Sequence, residues 1–253
     1  MSSHIHSSRE LFMQEMRHAS VDVSRETRDR LETMVHLLIR WQKVINLVGK
    51  ATLDEIWIRH ILDSAQASIL VPKTAKKLTD MGSGAGFPGL VIAAFRPELE
   101  VTLIESDTRK AAYLGEAARR MELAIPPKIL VGRIEAVRST QAEIVTARAL
   151  APLTKLLDYA DRHRAANAIC LFHKGKDWQA ELALARQDWD IQGQPFTSVT
   201  EIDAVIYRIT DYKRLPTVSG AVLKPVAKSG AKAAPAVRDR EPKGRRRKNN
   251  DGD

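Results

Sequence analysis

The chain has one cysteine, Cys170, which excludes an internal disulfide, and no Cys or His array with zinc-site spacing accompanies it. Cys170 reads as a small apolar residue in a strand over Ile169–Phe172. No apolar run approaches the roughly 20 residues needed to span a bilayer. The opening stretch MSSHIHSSRELFMQ lacks the continuous apolar segment of a secretory signal, so no membrane partner and a cytoplasmic address are expected. Aromatic residues are scarce at 5%, and no repeat at a solenoid period is visible. What remains, 44% hydrophobic and 28% charged over 253 residues, suits a globular protein with one sizeable core.

Positive charge is unevenly spread. Residues 217–253 hold ten Lys or Arg against four acids, six of the nine net charges, among Ala, Pro, Gly and Ser with few large apolar residues. Such a segment buries too little surface to offset the entropy of ordering, so a disordered basic tail is expected, with a salt-sensitive affinity for polyanions. Residues 1–23 read as a polar leader. Over 24–72 the pattern is that of a helical cap. Leu31, Met34, Val35, Leu38, Trp41 and Ile45 recur at helical spacing behind a Ser24 N-cap, and Ile56, Ile61, Leu62, Ala65 and Ile69 do so in a second helix over 53–70.

From residue 73 to 216 short apolar runs alternate with helical stretches. Strands are expected at 77–81, 101–104, 128–131, 143–147, 169–172 and 204–209, with helices at 89–95, 108–121, 152–165 and 177–186. Strands separated by helices require crossovers, which predicts an α/β fold with a mainly parallel sheet covered on both faces. The stretch holding Trp189, Ile191, Gly193 and Pro195 ahead of the last strand predicts an antiparallel finish.

In such a sheet ligands lie at the carboxyl ends of the strands, where strand order reverses. Asp80 ends the first strand, and Gly82, Gly84 and Gly86 form a G-x-G-x-G turn able to bring backbone against a ligand. Pro88 comes next, in a position that suits a first helical turn. Glu105 closes the second strand about 20 residues on, at the distance from which a carboxylate accepts from ribose hydroxyls. Ile134 and Glu135 stand after the third strand as an apolar wall and a polar contact for an adenine ring, and Arg148 after the fourth. The turn has no third glycine at dinucleotide spacing, no Lys-Ser or Lys-Thr pair and no basic residue. S-adenosylmethionine, an adenosine without phosphates, fits better, while a nicotinamide dinucleotide remains open on spacing.

The run DMGSGAGFPG resembles the RsmG (GidB) family, ribosomal RNA small-subunit methyltransferase G. RWQKVINLVGK and IRHILDS precede it, and VTLIESDTRKAAYL, TARALAPL and HKGK come after it. The resemblance covers roughly residues 31–213. It implies a Rossmann-like, seven-stranded S-adenosylmethionine-dependent methyltransferase sheet with an N-terminal helical cap. It also implies methyl transfer to N7 of one guanosine in 16S ribosomal RNA of the small ribosomal subunit, without a metal. Cofactor contacts carry over onto Gly82, Phe87, Ile134, Glu135 and Arg148, with Glu105 as the ribose acid. The chain departs from the family at Gln42, where Asn is usual, and at Val48, where Thr is usual. Guanine N7 already has a free lone pair, so no general base is expected. His60, Arg148 and Lys174 are the expected substrate contacts, on a monomer. With few aromatics for stacking, phosphate contact and a flipped-out or single-stranded guanine are expected.

Overall fold

The computed structural model describes residues 3–216; the basic tail lies outside the described residues. The chain begins with helices α1 (Ser3–His18) and α2 (Arg25–Trp41), then a π-helical turn (Trp57–Leu62) that runs into α3 (Asp63–Leu70). Then come β1 (Lys77–Met81), α4 (Gly89–Phe95), β2 (Glu100–Glu105), α5 (Thr108–Arg120), β3 (Lys128–Val131) and β4 (Ala142–Arg148). The remainder is α6 (Leu153–His163), β5 (Arg164–Lys174), α7 (Trp178–Ala185), β6 (Trp189–Thr197) and β7 (Val205–Arg214).

The strands form one seven-stranded sheet in the order β3-β2-β1-β4-β5-β7-β6. β1 to β5 are parallel, and β7 lies antiparallel between β5 and β6, as the sequence predicts. The order reverses between β1 and β4, which defines the crevice. Register decides what stands there. Met81 aligns with Ile104 and with Ala147, so Gly82, Glu105 and Arg148 emerge side by side at one end of the sheet. At the sheet margins, β3 is only four residues long, and β6, which carries Pro195, pairs with β7 through a register shift at Gln192/Gly193 where Thr210 of β7 is the extra residue.

Alternation along each strand sorts the apolar residues between two faces. Leu78, Leu103, Ile144, Leu171 and Ile206 pack under the helices α1 to α5, while Met81, Ile104, Val145, Phe172 and Tyr207 pack under α6 and α7. The helical cap read over 24–72 therefore shares its core with α4 and α5: Leu31, Met34, Leu38 and Ile61 join Leu90, Val91 and Tyr113 in one apolar cluster. Ser24 caps α2 as expected, its hydroxyl accepting from Thr27 N at 3.1 Å.

The structure corrects two expectations. The polar leader contains α1, whose Ile5, Phe12 and Met16 are buried, with Phe12 stacked obliquely on Trp57 at 5.4 Å between ring centres. The expected helix over 53–70 is interrupted by the π-helical turn, which takes in more residues per turn than an α-helix and shifts the phase of the residues beyond it. Ile69 is 54% exposed although it stands one turn beyond buried Ala65 in α3, so the apolar stripe stops short of it. Among the described residues no helix is long and apolar enough to cross a membrane, and no cluster of three or more His, Cys, Asp or Glu is arranged to hold a metal ion.

Phe12 is fully buried. Phe12→Ala is expected to cost about 3–5 kcal/mol of unfolding free energy, read from the urea midpoint; an unchanged midpoint would mean that α1 is not part of the core.

Candidate functional site at the carboxyl ends of the strands

The glycine turn leaves β1 in a conformation that side chains resist: Gly82, Gly84 and Gly86 have φ of +66°, +55° and +89°. A Cβ on Gly82 would stand 2.6 Å from Leu150 Cδ1, whereas one on Gly84 would meet nothing nearer than 3.8 Å. Gly82 is thus required by close packing, and Gly84 keeps open space beside the chain. Glu105 holds the turn from the neighbouring strand. Its Oε2 accepts from Gly84 N and its Oε1 from Asp107 N, both at 2.8 Å. Each oxygen retains capacity to accept a further hydrogen bond.

Above the turn lies a cavity of ≈ 460 Å³. Gly82, Gly84, Phe87, Glu105, Ile134 and Glu135 line it, together with His60 and Arg148. Ile134 is fixed there by its own carbonyl, which accepts from buried His163 Nε2 at 2.9 Å. The loop Leu47–Gly49 forms the opposite wall. Gln42 shapes that loop: its Oε1 accepts from Leu47 N and Val48 N, and its Nε2 donates to Val48 O. The departure from Asn at position 42 thus supplies a longer side chain that still closes a backbone loop.

Arg148 is the most heavily engaged side chain of the site. Nε pairs with Asp63 Oδ2 at 2.9 Å, Nη1 donates to His60 Nδ1 at 3.0 Å, and Nη2 donates to the Arg59 carbonyl at 2.7 Å. The guanidinium also stands 5.8 Å from the centre of the Phe87 ring, and the His60 ring stacks on Phe87 at 5.1 Å with planes 17° apart. Burial, and after it the charge of Arg148, push the His60 pKa down to about 3. The imidazole is therefore neutral at working pH, accepting at Nδ1.

A second cavity of ≈ 470 Å³ adjoins the first, and both are lined by Arg148, Ala149 and Leu150. Asp63, Lys174 and Thr200 also line the second cavity.

Two expected cofactor contacts, Asp80 and Gly86, do not line the first cavity, and the expected substrate contact Lys174 lines the second. Asp80 is fully buried behind the turn, where Oδ1 accepts from Thr146 Oγ1 at 2.7 Å; burial raises its pKa to about 6. Its strand alternation points it between sheet and helices, so it braces β1 against β4 and does not line the cavity. Gly86 does not line it either: a Cβ there would strike Leu90 at 2.5 Å, a packing requirement. Lys174 lines only the second cavity, and its Nζ is held by Glu181 Oε2 at 2.5 Å and by the Ala151 carbonyl at 3.1 Å. Conversely, the sequence reading does not anticipate Tyr159, Leu150, Lys110 or the 47–49 loop, all of which line the first cavity. Leu150 is reachable in principle, two residues past a strand end; Tyr159, within α6, carries no signal.

Comparison with known proteins points the same way. Residues 27–210 match the family described as rRNA small subunit methyltransferase G (GidB). Ribosomal RNA small subunit methyltransferase G of Jannaschia sp. is 48% identical over 190 residues, covering 74% of this chain and 89% of its own. The protein of the same description from Cereibacter sphaeroides is 43% identical over 201 residues, covering 78% of this chain and 97% of its own. In three dimensions a SAM dependent methyltransferase from Aquifex aeolicus superposes with a TM-score of 0.50 at 14% identity, over 67% of this chain and 98% of that one, a likeness of fold. With the match spanning most of the chain and identities above 40%, this protein belongs to the rRNA small subunit methyltransferase G family.

Proposed function

We propose that the first cavity holds S-adenosylmethionine and that the protein methylates N7 of a guanosine in 16S ribosomal RNA, presented in the second cavity. The observation that carries this reading is the adjacency of the Glu105-braced glycine turn to Arg148, on the wall shared by the two cavities. The cavity suits the cofactor. Glu105 has acceptor capacity left for ribose hydroxyls, buried Ile134 offers an apolar surface to an adenine, and open space beside Gly84 admits close approach to backbone. When bound, the cofactor supplies an electrophilic methyl group.

The protein's own task is then orientation. Guanine N7 carries a lone pair at neutral pH, so no proton has to be removed, and the site is consistent with this. His60, whose imidazole lines the cavity, already uses Nδ1 to accept from Arg148. A methylated guanine is cationic. A bare guanidinium beside it would oppose the reaction, but Asp63 at 2.9 Å offsets the charge of Arg148. Of the five N–H groups on Arg148, three are engaged among the described residues, which leaves two to donate. Donation to guanine O6 reads the base and leaves the N7 lone pair free. Lys174, tied to Glu181, serves as a cationic wall of the second cavity toward a flanking phosphate.

The decisive experiment supplies radiolabelled S-adenosylmethionine and small subunits lacking the modification, then maps the label. One guanine N7 is the expected site, and 2,6-diaminopurine at that position, which lacks O6, is expected to lose most of the label. Absence of label on any ribosomal particle would end the enzyme reading. Gly84→Val, which fills the open space with a β-branched side chain at φ of +55°, is expected to abolish S-adenosylhomocysteine binding with the circular dichroism of the fold retained. Retained affinity would remove the turn from the cofactor site. Removal of residues 217–253, with their six net positive charges, should weaken RNA binding mainly at low salt; an unchanged salt slope would assign the tail to solubility.

A further inference from the structure

Thr52 lines neither cavity, yet its hydroxyl decides the orientation of His60. Thr52 Oγ1 donates its one proton to the Gly49 carbonyl at 2.8 Å, so toward His60 Nε2, also at 2.8 Å, it must accept. From the other side Arg148 has only donors, so His60 Nδ1 must accept at 3.0 Å. The two ends demand the same tautomer, with the proton on Nε2. The result is an unbroken polar chain with one donor direction: Arg148 to His60, His60 to Thr52, Thr52 to Gly49.

Gly49 belongs to the loop that walls the first cavity. Arg148 continues the connection on the opposite side. Its partner Asp63 has Oδ1 3.3 Å from the hydroxyls of both Ser198 and Thr200, which stand 2.9 Å from each other, so the two side chains form one hydroxyl pair that donates to the carboxylate, and Thr200 lines the second cavity. One guanidinium is therefore fastened at one end to the wall of the first cavity and at the other to the wall of the second.

We infer that the chain Gly49–Thr52–His60–Arg148–Asp63–Thr200 couples the two cavities, so that a ligand in one raises the affinity of the other, with Thr52 and His60 as positioning residues. The inference rests on the assignment of the cavities made above. A ligand seated against Gly49 orders the wall, the imidazole and the guanidinium together, and the second ligand meets an Arg148 already set. Coupling of this kind is reciprocal in binding free energy. His60, expected from the sequence to touch substrate, acts in this account through Arg148 and through the Phe87 ring on which it stacks.

The test uses the full chain, S-adenosylhomocysteine as the cofactor probe and small subunits lacking the modification as the RNA probe. Dissociation constants for S-adenosylhomocysteine are measured without and with saturating subunits, and their ratio is compared among variants. In the unaltered protein the ratio is expected to be about fivefold or more. Thr52→Val, nearly isosteric but without the hydroxyl, is expected to bring it below about twofold, and Thr52→Ser to keep the original value. Taking the ratio cancels any change in intrinsic cofactor affinity. A ratio of one in the unaltered protein overturns the coupling, as does a ratio unmoved by Thr52→Val or lost equally in Thr52→Ser. Failure of the unaltered protein to bind S-adenosylhomocysteine at all overturns the assignment of the first cavity, and the coupling with it.

Discussion

A guanidinium taken out of water has to keep both its charge and its N–H groups satisfied, and the neighbourhood of Arg148 is arranged to meet that requirement. Leaving such a charge unpaired would cost several kcal/mol. Asp63 supplies the countercharge, the Arg59 carbonyl and the His60 ring supply acceptors, and Phe87 supplies a face. All but Phe87 come from the π-helical turn or the first residue of α3, so one short segment packs over the end of β4 and serves nearly the whole guanidinium. Because Arg148 is the last residue of β4, the same pairing ties that segment to the sheet. The two cavities share a wall for this reason.

The neutral His60 is part of the same arrangement. Burial disfavours a protonated imidazole, and the guanidinium 3.0 Å away adds to the penalty, so with its pKa near 3 the ring stays a neutral acceptor. His60 thereby adds no second positive charge beside the Arg148–Asp63 pair.

Much of this is legible in the sequence because parallel sheets write themselves plainly. Buried strands are short apolar runs, and ligand-binding residues stand where the runs stop; that rule alone locates the glycine turn, Glu105 and Arg148. The rule fails one step further in. Asp80 also sits near a strand end, but it is still within the pleat, and alternation turns it into the interior, where it meets Thr146. Lys174 ends β5 and reaches the neighbouring cavity, where Glu181 from α7 holds it, a partner that only packing supplies. Helix α1 escapes a reading by pattern because Ile5, Phe12 and Met16 are spread thinly through a polar segment, although their separations of seven and four keep them on one face. Ile69 keeps helical spacing from buried Ala65 within α3 and is nonetheless exposed, because spacing does not show where the packed surface over a helix stops. His60 stands out in the sequence, but its partners are 8 and 88 positions away, and only the fold tells a ligand contact from a brace.

The margins of the sheet carry a consequence of their own. An open sheet ends in two strands with unpaired backbone groups, and a long flat margin invites a second chain to add to it. Here β3 offers four residues, beginning with Lys128, too short a template to hold a partner. At the opposite margin β6 carries Pro195, which has no N–H to give. A four-residue strand at one margin and a proline at the other make both edges poor templates for an added strand.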